Sequence, residues 1–275
     1  MKLKTRIHTY QDELRIKRRK KRRLKLLIFL ISFFGLASWF GYLLFFSNIF
    51  LVKQVEVRGN EEISKEEILN KVDGYLNKHY LISRFRPRFN ILFANSGELE
   101  AALSDGFLLA REFKVKKNLF EKKIKVRVEE RDEAGVWCAA GGSDCFYFDE
   151  GGILFKESPR FSGPLFLVIE DGRGKVFELG DKFDDRVLLE KIIETKNILD
   201  QFQVVRYKNF FLPQGSFGEF WFITDEGWAV YLDKEVDLPT QLVALRKFLE
   251  EKLSVDKRAT LQYIDLKINN RIYFK

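Results

Sequence analysis

The longest hydrophobic stretch of the chain lies near its N-terminus. Residues 26–46 are 21 positions of mostly Leu, Ile and Phe, and none of them carries a charge. As a helix they would span about 31 Å, which matches the hydrocarbon core of a bilayer. A core helix of a soluble domain would be shorter or amphipathic. The pattern therefore predicts a transmembrane anchor over residues 26–51.

A cleaved signal peptide is the alternative interpretation of this stretch. Gly35 and Ala37 supply the small residues of a possible cleavage site after Ala37. The chain stays hydrophobic from Trp39 to Phe50, however, whereas a mature N-terminus normally becomes polar. The pattern favours an uncleaved anchor.

Residues 52–131 form the next block, in which strand and helix patterns alternate. It opens with a period-2 strand pattern, and then Ser64 and Glu67 form a capping box at the start of a helix. After a looser stretch at 80–95, a second short helix and two strands are predicted, and the last strand alternates cleanly over 123–129. The predicted order β-α-α-β-β describes a compact α/β unit of 80 residues.

Residues 132–275 are dominated by strand patterns. Asp149–Gly152 predicts the turn of a hairpin, and apolar spacing predicts helices over about 186–200 and from Pro239 onward. At the C-terminal end the alternation runs over 260–274 with unbroken parity, which favours one long strand over a hairpin. The predicted fold class is α+β: a single transmembrane helix, the β-α-α-β-β unit, and a β-rich domain with a mixed or antiparallel sheet and flanking helices.

The net charge of +8 suggests at first a nucleic-acid or membrane-surface ligand. Residues 1–25 hold 12 Lys and Arg against two acids, a net charge of +10, which leaves 36 basic and 38 acidic side chains, a net charge of −2, on the other 250 residues. A basic tail directly before a hydrophobic helix is typical of the cytoplasmic side of a membrane protein. We therefore expect a cytoplasmic N-terminus, an external body from about residue 50, and no nucleic-acid ligand.

Few residues of the predicted external part suggest chemistry. Cys138 and Cys145 have six residues between them, a spacing that suits a disulfide across a short hairpin in an oxidising compartment; two buried free thiols are the alternative. His79 is a lone histidine, which is typical of a surface position, and Asp149 and Glu150 lie where turn residues are expected. The sequence predicts no catalytic, metal or cofactor site, a profile typical of a binding or assembly protein.

Four segments resemble the FtsQ/DivIB cell-division family. They are Val55–Asn60 with Ile63 and Ser64; Val126–Arg131 with Ala134 and Trp137; Tyr147–Phe155; and Tyr263–Lys267. Their order and spacing behind a single anchor carry the resemblance, which spans nearly the whole chain. It implies a membrane-proximal POTRA domain over 52–131 and a C-terminal β-domain of the FtsQ/DivIB type over 132–275.

The resemblance also implies a function. Members of this family are non-enzymatic, single-pass proteins of the bacterial cytoplasmic (inner) membrane, and they act at the division septum. They recruit and regulate the septal cell-wall synthesis machinery, and they bind FtsB/DivIC-like and FtsL-like membrane proteins through the last strand of the β-domain. Neither a cofactor nor a small-molecule substrate is implied.

The partner contact is expected on the last predicted strand. A long terminal strand can leave an unpaired edge, to which a partner adds a strand through main-chain hydrogen bonds. For Ile264 and Leu266 we expect ordinary packing in the sheet. The residues assigned to the contact by matching to the family are Tyr263, Lys267, Ile268, Asn270 and Ile272, with Lys234 as a weaker candidate.

A function of another class is a POTRA-containing envelope transport or outer-membrane assembly factor. That role normally needs a β-barrel or tandem POTRA repeats, and the patterns of this sequence predict neither. A membrane-anchored enzyme would need a reaction centre, which the residues do not suggest. The divisome scaffold is therefore the preferred hypothesis.

Overall fold

A computed structural model of the chain describes residues 2–46, 48–78, 90–92, 94–142, 144–160, 166–202, 205–215, 217–253 and 255–275. His79 and most of the stretch predicted as a looser segment at 80–95 lie outside these described residues.

The chain divides into two compact units that interleave along the sequence. The first comprises Met1–Arg58, Lys65–Ala102 and Lys114–Arg127, and the second comprises Gly59–Ser64, Leu103–Phe113 and Val128–Lys275. The second unit thus takes Gly59–Ser64, Leu103–Phe113 and residues 128–131 from the range 52–131 that was predicted as the membrane-proximal domain. Hydrogen bonds explain this, because the Glu130 carboxylate binds the first segment and the Arg131 N–H donates to the Leu109 carbonyl in the second.

The first helix, α1 (Lys2–Phe46), contains residues 26–46 of the anchor predicted over 26–51 and continues through the basic tail, and a short 3-10 helix (Asn48–Phe50) follows it. The stretch Lys20–Phe50 is long and apolar enough to cross a membrane. Its most apolar 18-residue window has a mean hydropathy of 2.0, and none of that window is buried. The core helix of a soluble protein would be buried, so this finding argues against that interpretation. A signal sequence would share the same length and composition.

A strand, two helices and two strands follow α1, in the order predicted from the sequence. They are β1 (Gln54–Arg58), α2 (Lys65–Lys78), α3 (Ser96–Ser104), β2 (Ala110–Asn118) and β3 (Lys123–Glu130). The strands form a sheet in the order β1-β3-β2, with β1 parallel to β3. The alternation predicted for the last strand is confirmed, since Ile124, Val126 and Val128 are buried between exposed neighbours.

The rest of the chain is a β-rich sheet flanked by helices. Its elements are β4 (Gly135–Ala139), β5 (Cys145–Phe148), β6 (Leu154–Ser158), β7 (Val168–Asp171), α4 (Arg186–Phe202), β8 (Tyr207–Leu212), β9 (Glu219–Thr224), β10 (Ala229–Asp233), α5 (Leu238–Glu251), α6 (Val255–Arg258), β11 (Tyr263–Asp265) and β12 (Tyr273–Phe274). Within the described residues, nine strands form one sheet in the order β12-β11-β10-β9-β8-β7-β4-β5-β6. The sheet is mixed, which is one of the two alternatives predicted: the pairs β4–β7, β7–β8 and β10–β11 are parallel, and the others are antiparallel.

The main core lies between one face of this sheet and the helices α4 and α5. The inward side chains of α4 and α5 repeat at helical spacing, among them Leu188, Ile192 and Leu199 of α4. They pack on strand residues of one parity, such as Phe220 and Phe222, which are fully buried. The predicted helices near 186–200 and after Pro239 are therefore confirmed, and α5 carries that proline in its first turn.

The prediction of one long C-terminal strand is wrong. The chain forms a hairpin instead, in which β11 and β12 are antiparallel and Ile264 lies opposite Phe274. The turn is closed by the Arg271 N–H, which donates to the Ile268 carbonyl at 3.2 Å. Asn270 has a φ of 60° in this turn, and Asn is one of the few residues that adopt the left-handed region readily.

Candidate functional site at the C-terminal edge of the sheet

The hairpin puts a different strand at the edge from the one expected. β11 is an inner strand, because β10 pairs with it on one side and β12 on the other. β12 is the last strand of the sheet. The edge therefore consists of Tyr273 and Phe274, together with Ile272, which directly precedes them. An added strand would have to pair with β12.

The backbone of β12 is oriented for such pairing. Tyr263 and Lys275 exchange both hydrogen bonds, at 3.2 and 3.4 Å, so the backbone groups of Lys275 point toward β11. Orientation alternates along an antiparallel strand. The N–H and C=O of Ile272 and Phe274 therefore point away from β11. Among the described residues neither of these two has a backbone partner, which leaves an open row of donors and acceptors.

Apolar side chains accompany this open edge. Ile268 in the turn is 52% exposed and Phe274 is 54% exposed. The centroid of the Phe274 ring also lies 5.1 Å from that of Phe248 on α5, so one side of the ring packs against this helix. Ile272 is half-buried against the main core. The edge thus combines unpaired backbone groups with partly exposed apolar side chains, which are the two components of strand addition.

The remaining predicted contact residues are dispersed around this edge. Tyr263 lies on inner strand β11, half-buried, with its ring 5.8 Å from that of Tyr231. Asn270 is exposed at the tip of the turn. Ile264 and Leu266 are fully buried, as expected for packing residues. The hairpin therefore separates residues that a single long strand would have placed along one edge of the sheet.

The two lysines predicted to contact a partner, Lys267 and Lys234, both form ion pairs within the chain. Lys267 Nζ donates to Glu219 at 3.0 Å, and Lys234 Nζ donates to Asp185 at 2.6 Å, next to the N-terminus of α4. The hydrogen bond to Glu219 raises the pKa of Lys267, against a smaller lowering by burial. The bond to Asp185 likewise raises the pKa of Lys234. Lys234 is 19% exposed, so its main contact is with the helix terminus.

The sequence reasoning missed Tyr273 and Phe274 as edge residues. Their apolar and aromatic character was visible at the end of the alternating run, but the run was assigned to one strand. The signal that could have identified them is Asn269-Asn270, because adjacent Asn residues are typical of turns with a left-handed position.

Two residues of the family-like segment at 126–131 organise the opposite end of the second unit. The Glu130 carboxylate accepts hydrogen bonds from the backbone N–H groups of Glu61, Glu62 and Ile63 at 2.8–3.0 Å. Burial would raise the pKa of Glu130, but these three bonds, with the nearby Lys156, hold it below its ordinary value. The carboxylate therefore fixes the loop that follows β1.

Arg131 points to a second loop. Its guanidinium forms an ion pair with Asp149, and its Nε donates to the Leu108 carbonyl at 2.9 Å. Asp149 also accepts from the Ile153 N–H at 2.9 Å, which closes the β5–β6 turn. Both side chains of the pair are largely buried, at 14% and 12% exposed. These contacts make Asp149 a turn residue, in agreement with the role expected for it.

Cys138 and Cys145 are joined by a disulfide, and they lie directly opposite each other on β4 and β5. The bond sits in a second, smaller core on the sheet face away from α4 and α5. That core contains Val136, Tyr147, Phe155 and Val168. The disulfide thus fixes two neighbouring strands and belongs to the packing of the domain.

No family model matches the chain, and no curated protein is similar to it.

Within the described ranges, no group of three or more His, Cys, Asp or Glu is arranged to hold a metal ion.

Proposed function

We propose that the chain is a non-enzymatic, bitopic scaffold of the bacterial divisome, of the FtsQ/DivIB type. It recruits and regulates the septal cell-wall synthesis machinery by binding FtsB/DivIC-like and FtsL-like membrane proteins. The contact is strand addition at β12. The observation that carries this proposal is the open edge, where the outward backbone groups of Ile272 and Phe274 lie beside exposed apolar side chains.

The N-terminal helix supports the membrane part of the proposal. It is long and apolar enough to span a bilayer, and the 12 basic side chains of residues 1–25 precede its apolar part. Basic residues next to a spanning helix stay in the cytoplasm. In this topology the N-terminus is cytoplasmic, the rest of the chain from about residue 50 is extracytoplasmic, and the protein collects at the division septum.

The element order supports a POTRA-like domain next to the membrane. A strand, two helices and two strands follow the anchor directly, with β3 central in the small sheet. In the proposed role this domain connects the anchor to the β-rich domain along the chain. The β-rich domain then offers β12 to a partner that is itself anchored in the same membrane.

The contact residues proposed here lie on and next to the edge strand β12, because the single long strand predicted from the sequence does not form. Ile272, Tyr273 and Phe274 supply the pairing strand, and Ile268 supplies an exposed apolar contact in the preceding turn. Lys267 and Lys234 are secondary contacts, because each would have to exchange a present carboxylate partner for one on the incoming protein.

The test uses the full chain in detergent with full-length FtsB/DivIC-like and FtsL-like proteins. Phe274→Pro removes the outward N–H without touching the bonds to β11, and proline is tolerated on an edge strand. We expect the partner affinity to fall at least tenfold. Phe274→Ala keeps the N–H and removes only the ring, so it separates backbone pairing from side-chain contact and should bind better than the proline variant.

Phe120→Pro is the matched control, since Phe120 is 99% exposed in the turn between β2 and β3 and should leave binding unchanged. Equal binding by Phe274→Pro and the unaltered chain would contradict strand addition. A fluorescent fusion spread evenly around the membrane at all stages of the cell cycle, and never enriched at midcell, would contradict the divisome role itself.

A further inference from the structure

The sheet face away from α4 and α5 carries a row of aromatic rings. Phe211, Trp221 and Tyr231 lie directly opposite one another on β8, β9 and β10. The ring centroids of the first pair are 4.1 Å apart and those of the second pair 5.9 Å apart. Tyr263 on β11 extends the row, 5.8 Å from Tyr231. We call these four residues the aromatic ladder.

The ladder differs from the rest of the same sheet face. On β4, β5, β6 and β7 the face is covered, and its side chains form the small core around the disulfide. The ladder residues belong to neither core cluster and are all partly exposed. Within the part of the chain that the structure describes, the Trp221 indole N–H and the hydroxyls of Tyr231 and Tyr263 have no hydrogen-bond partner. Aromatic residues with free polar groups are typical of protein interfaces.

Carboxylates stand at both ends of the row. Glu170 on β7 lies opposite Phe211, and Asp265 on β11 lies opposite Tyr231. A second pair, Glu219 and Asp233, lies side by side on β9 and β10.

Among the described residues, two cations pair with these four carboxylates: Lys267 lies 3.0 Å from Glu219 and 3.9 Å from Asp265, and Arg160 lies 3.2 Å from Glu170. Lys234, next to Asp233 in sequence, pairs with Asp185 outside this group. Four acids against two bases leave a local net charge of −2.

We propose that the aromatic ladder docks an extended segment of a protein partner that carries Lys or Arg at both ends. Charge complementarity selects the occupant, because cations pair with the flanking carboxylates and are also attracted to aromatic faces.

The spacing of the carboxylates sets the length of the segment. Glu170 and Asp265 lie four strands apart, which is about 19 Å at the usual distance between strands. An extended chain rises about 3.3 Å per residue. The two cationic residues of the occupant are therefore about six positions apart, with apolar residues between them on the ladder side.

This docking is independent of the proposed function. Strand addition at β12 uses outward backbone groups, whereas the ladder uses side chains on the sheet face. The two contacts can therefore fail separately, and Phe274→Pro should leave binding at the ladder unchanged.

The experiment measures binding of a fluorescent peptide to the full chain in detergent by anisotropy. The probe is Lys-Ser-Leu-Ser-Leu-Ser-Lys with blocked termini, and the comparison peptide has Gln in place of both Lys. We expect the Lys peptide to bind at least tenfold more tightly at low salt. Added salt should remove most of the difference, because the contacts are exposed charges.

Two sets of variants connect that binding to the ladder. Trp221→Ala with Tyr231→Ala removes the central rings, and Glu170→Gln with Asp265→Asn removes the end charges while keeping the shape of the side chains. Each pair of substitutions should lower the affinity for the Lys peptide at least tenfold. Phe120→Ala is the matched control for loss of an exposed ring and should have no effect. Near-ultraviolet circular dichroism checks that each variant stays folded.

Three results would overturn the proposal. The first is equal binding of the Lys and Gln peptides, and the second is unchanged binding in both pairs of variants. The third is ladder-dependent binding of an N-acetylglucosamine tetramer in preference to the Lys peptide, which would assign the surface to a glycan.

Discussion

The two ends of the nine-stranded sheet are held in different ways. At the β6 end, the disulfide joins β4 to β5, the Arg131–Asp149 pair closes the following turn, and Lys156 binds Glu62 at 2.8 Å. At the β12 end, the last two strands have three and two residues, and Phe274 is 54% exposed. One end is fixed by a covalent link and a largely buried ion pair, whereas the other is a short hairpin held by neutral hydrogen bonds, such as that from Gln241 to the Ile268 carbonyl at 2.8 Å, and by the Lys267–Glu219 pair.

This difference indicates which end is suited to binding. Short strands with few buried contacts open at low free-energy cost, and binding elements are usually drawn from such regions. A sheet edge that is neither covered nor blunted also exposes backbone groups. The linked end gives the domain its stability, so the open end can remain available for a partner without endangering the fold. Three predictions test this contrast.

The largest effect is expected at the linked end. Arg131→Ala should lower the free energy of unfolding by about 3–5 kcal/mol, because it leaves the Asp149 carboxylate buried without its cation. Denaturant unfolding followed by tryptophan fluorescence measures the change. Arg111→Ala is the control, since Arg111 and Glu129 are 61% and 60% exposed at 3.9 Å and such pairs contribute little. A loss below 1 kcal/mol for Arg131→Ala would show that the pair does not hold this end together.

A smaller, pH-dependent effect is expected at Glu130. Its pKa is lowered in the folded state, so its contribution is present above the ordinary glutamate pKa and is lost as the pH falls through the lowered value. At pH 7, Glu130→Gln should cost about 1–2 kcal/mol, since three backbone N–H groups would then face a neutral acceptor. Unfolding measured from pH 7 to pH 3 should show the two proteins converging. A constant difference over this range would contradict the role of the charge.

Several elements could be predicted because their patterns are local. The alternation at 123–129 and the apolar spacing of α4 and α5 reflect burial of one face of each element. This periodicity can be read from a short window of sequence. The C-terminal hairpin could not be predicted in this way. Ile264 and Phe274 lie opposite each other on the same face, so a turn between them preserves the parity of a continuous strand.

The candidate surfaces show the same limit. Phe211, Trp221 and Tyr231 are ten positions apart in sequence, and nothing in that spacing places them in one row. Only the register of β8, β9 and β10 brings the rings together. Likewise, Glu130 and Arg131 were recognised as part of a family-like segment, but the loops they bind are distant in sequence. Long-range pairing, rather than local propensity, decides these sites.

The smallest effect is expected at the open end, and it distinguishes the hairpin from a continuous strand. Asn270 has a left-handed φ and an exposed side chain, so Asn270→Ala should cost about 1 kcal/mol through backbone strain alone. Asn270→Gly should stay within about 0.5 kcal/mol, because glycine accepts this conformation. Hydrogen exchange of the β11 and β12 amides measures both changes, and protection elsewhere in the sheet is the internal control. In a continuous strand the Asn270→Ala variant would be at least as stable as the Asn270→Gly variant. Finding the alanine variant as stable as the glycine variant, or more stable, would therefore contradict the hairpin and, with it, the edge at β12.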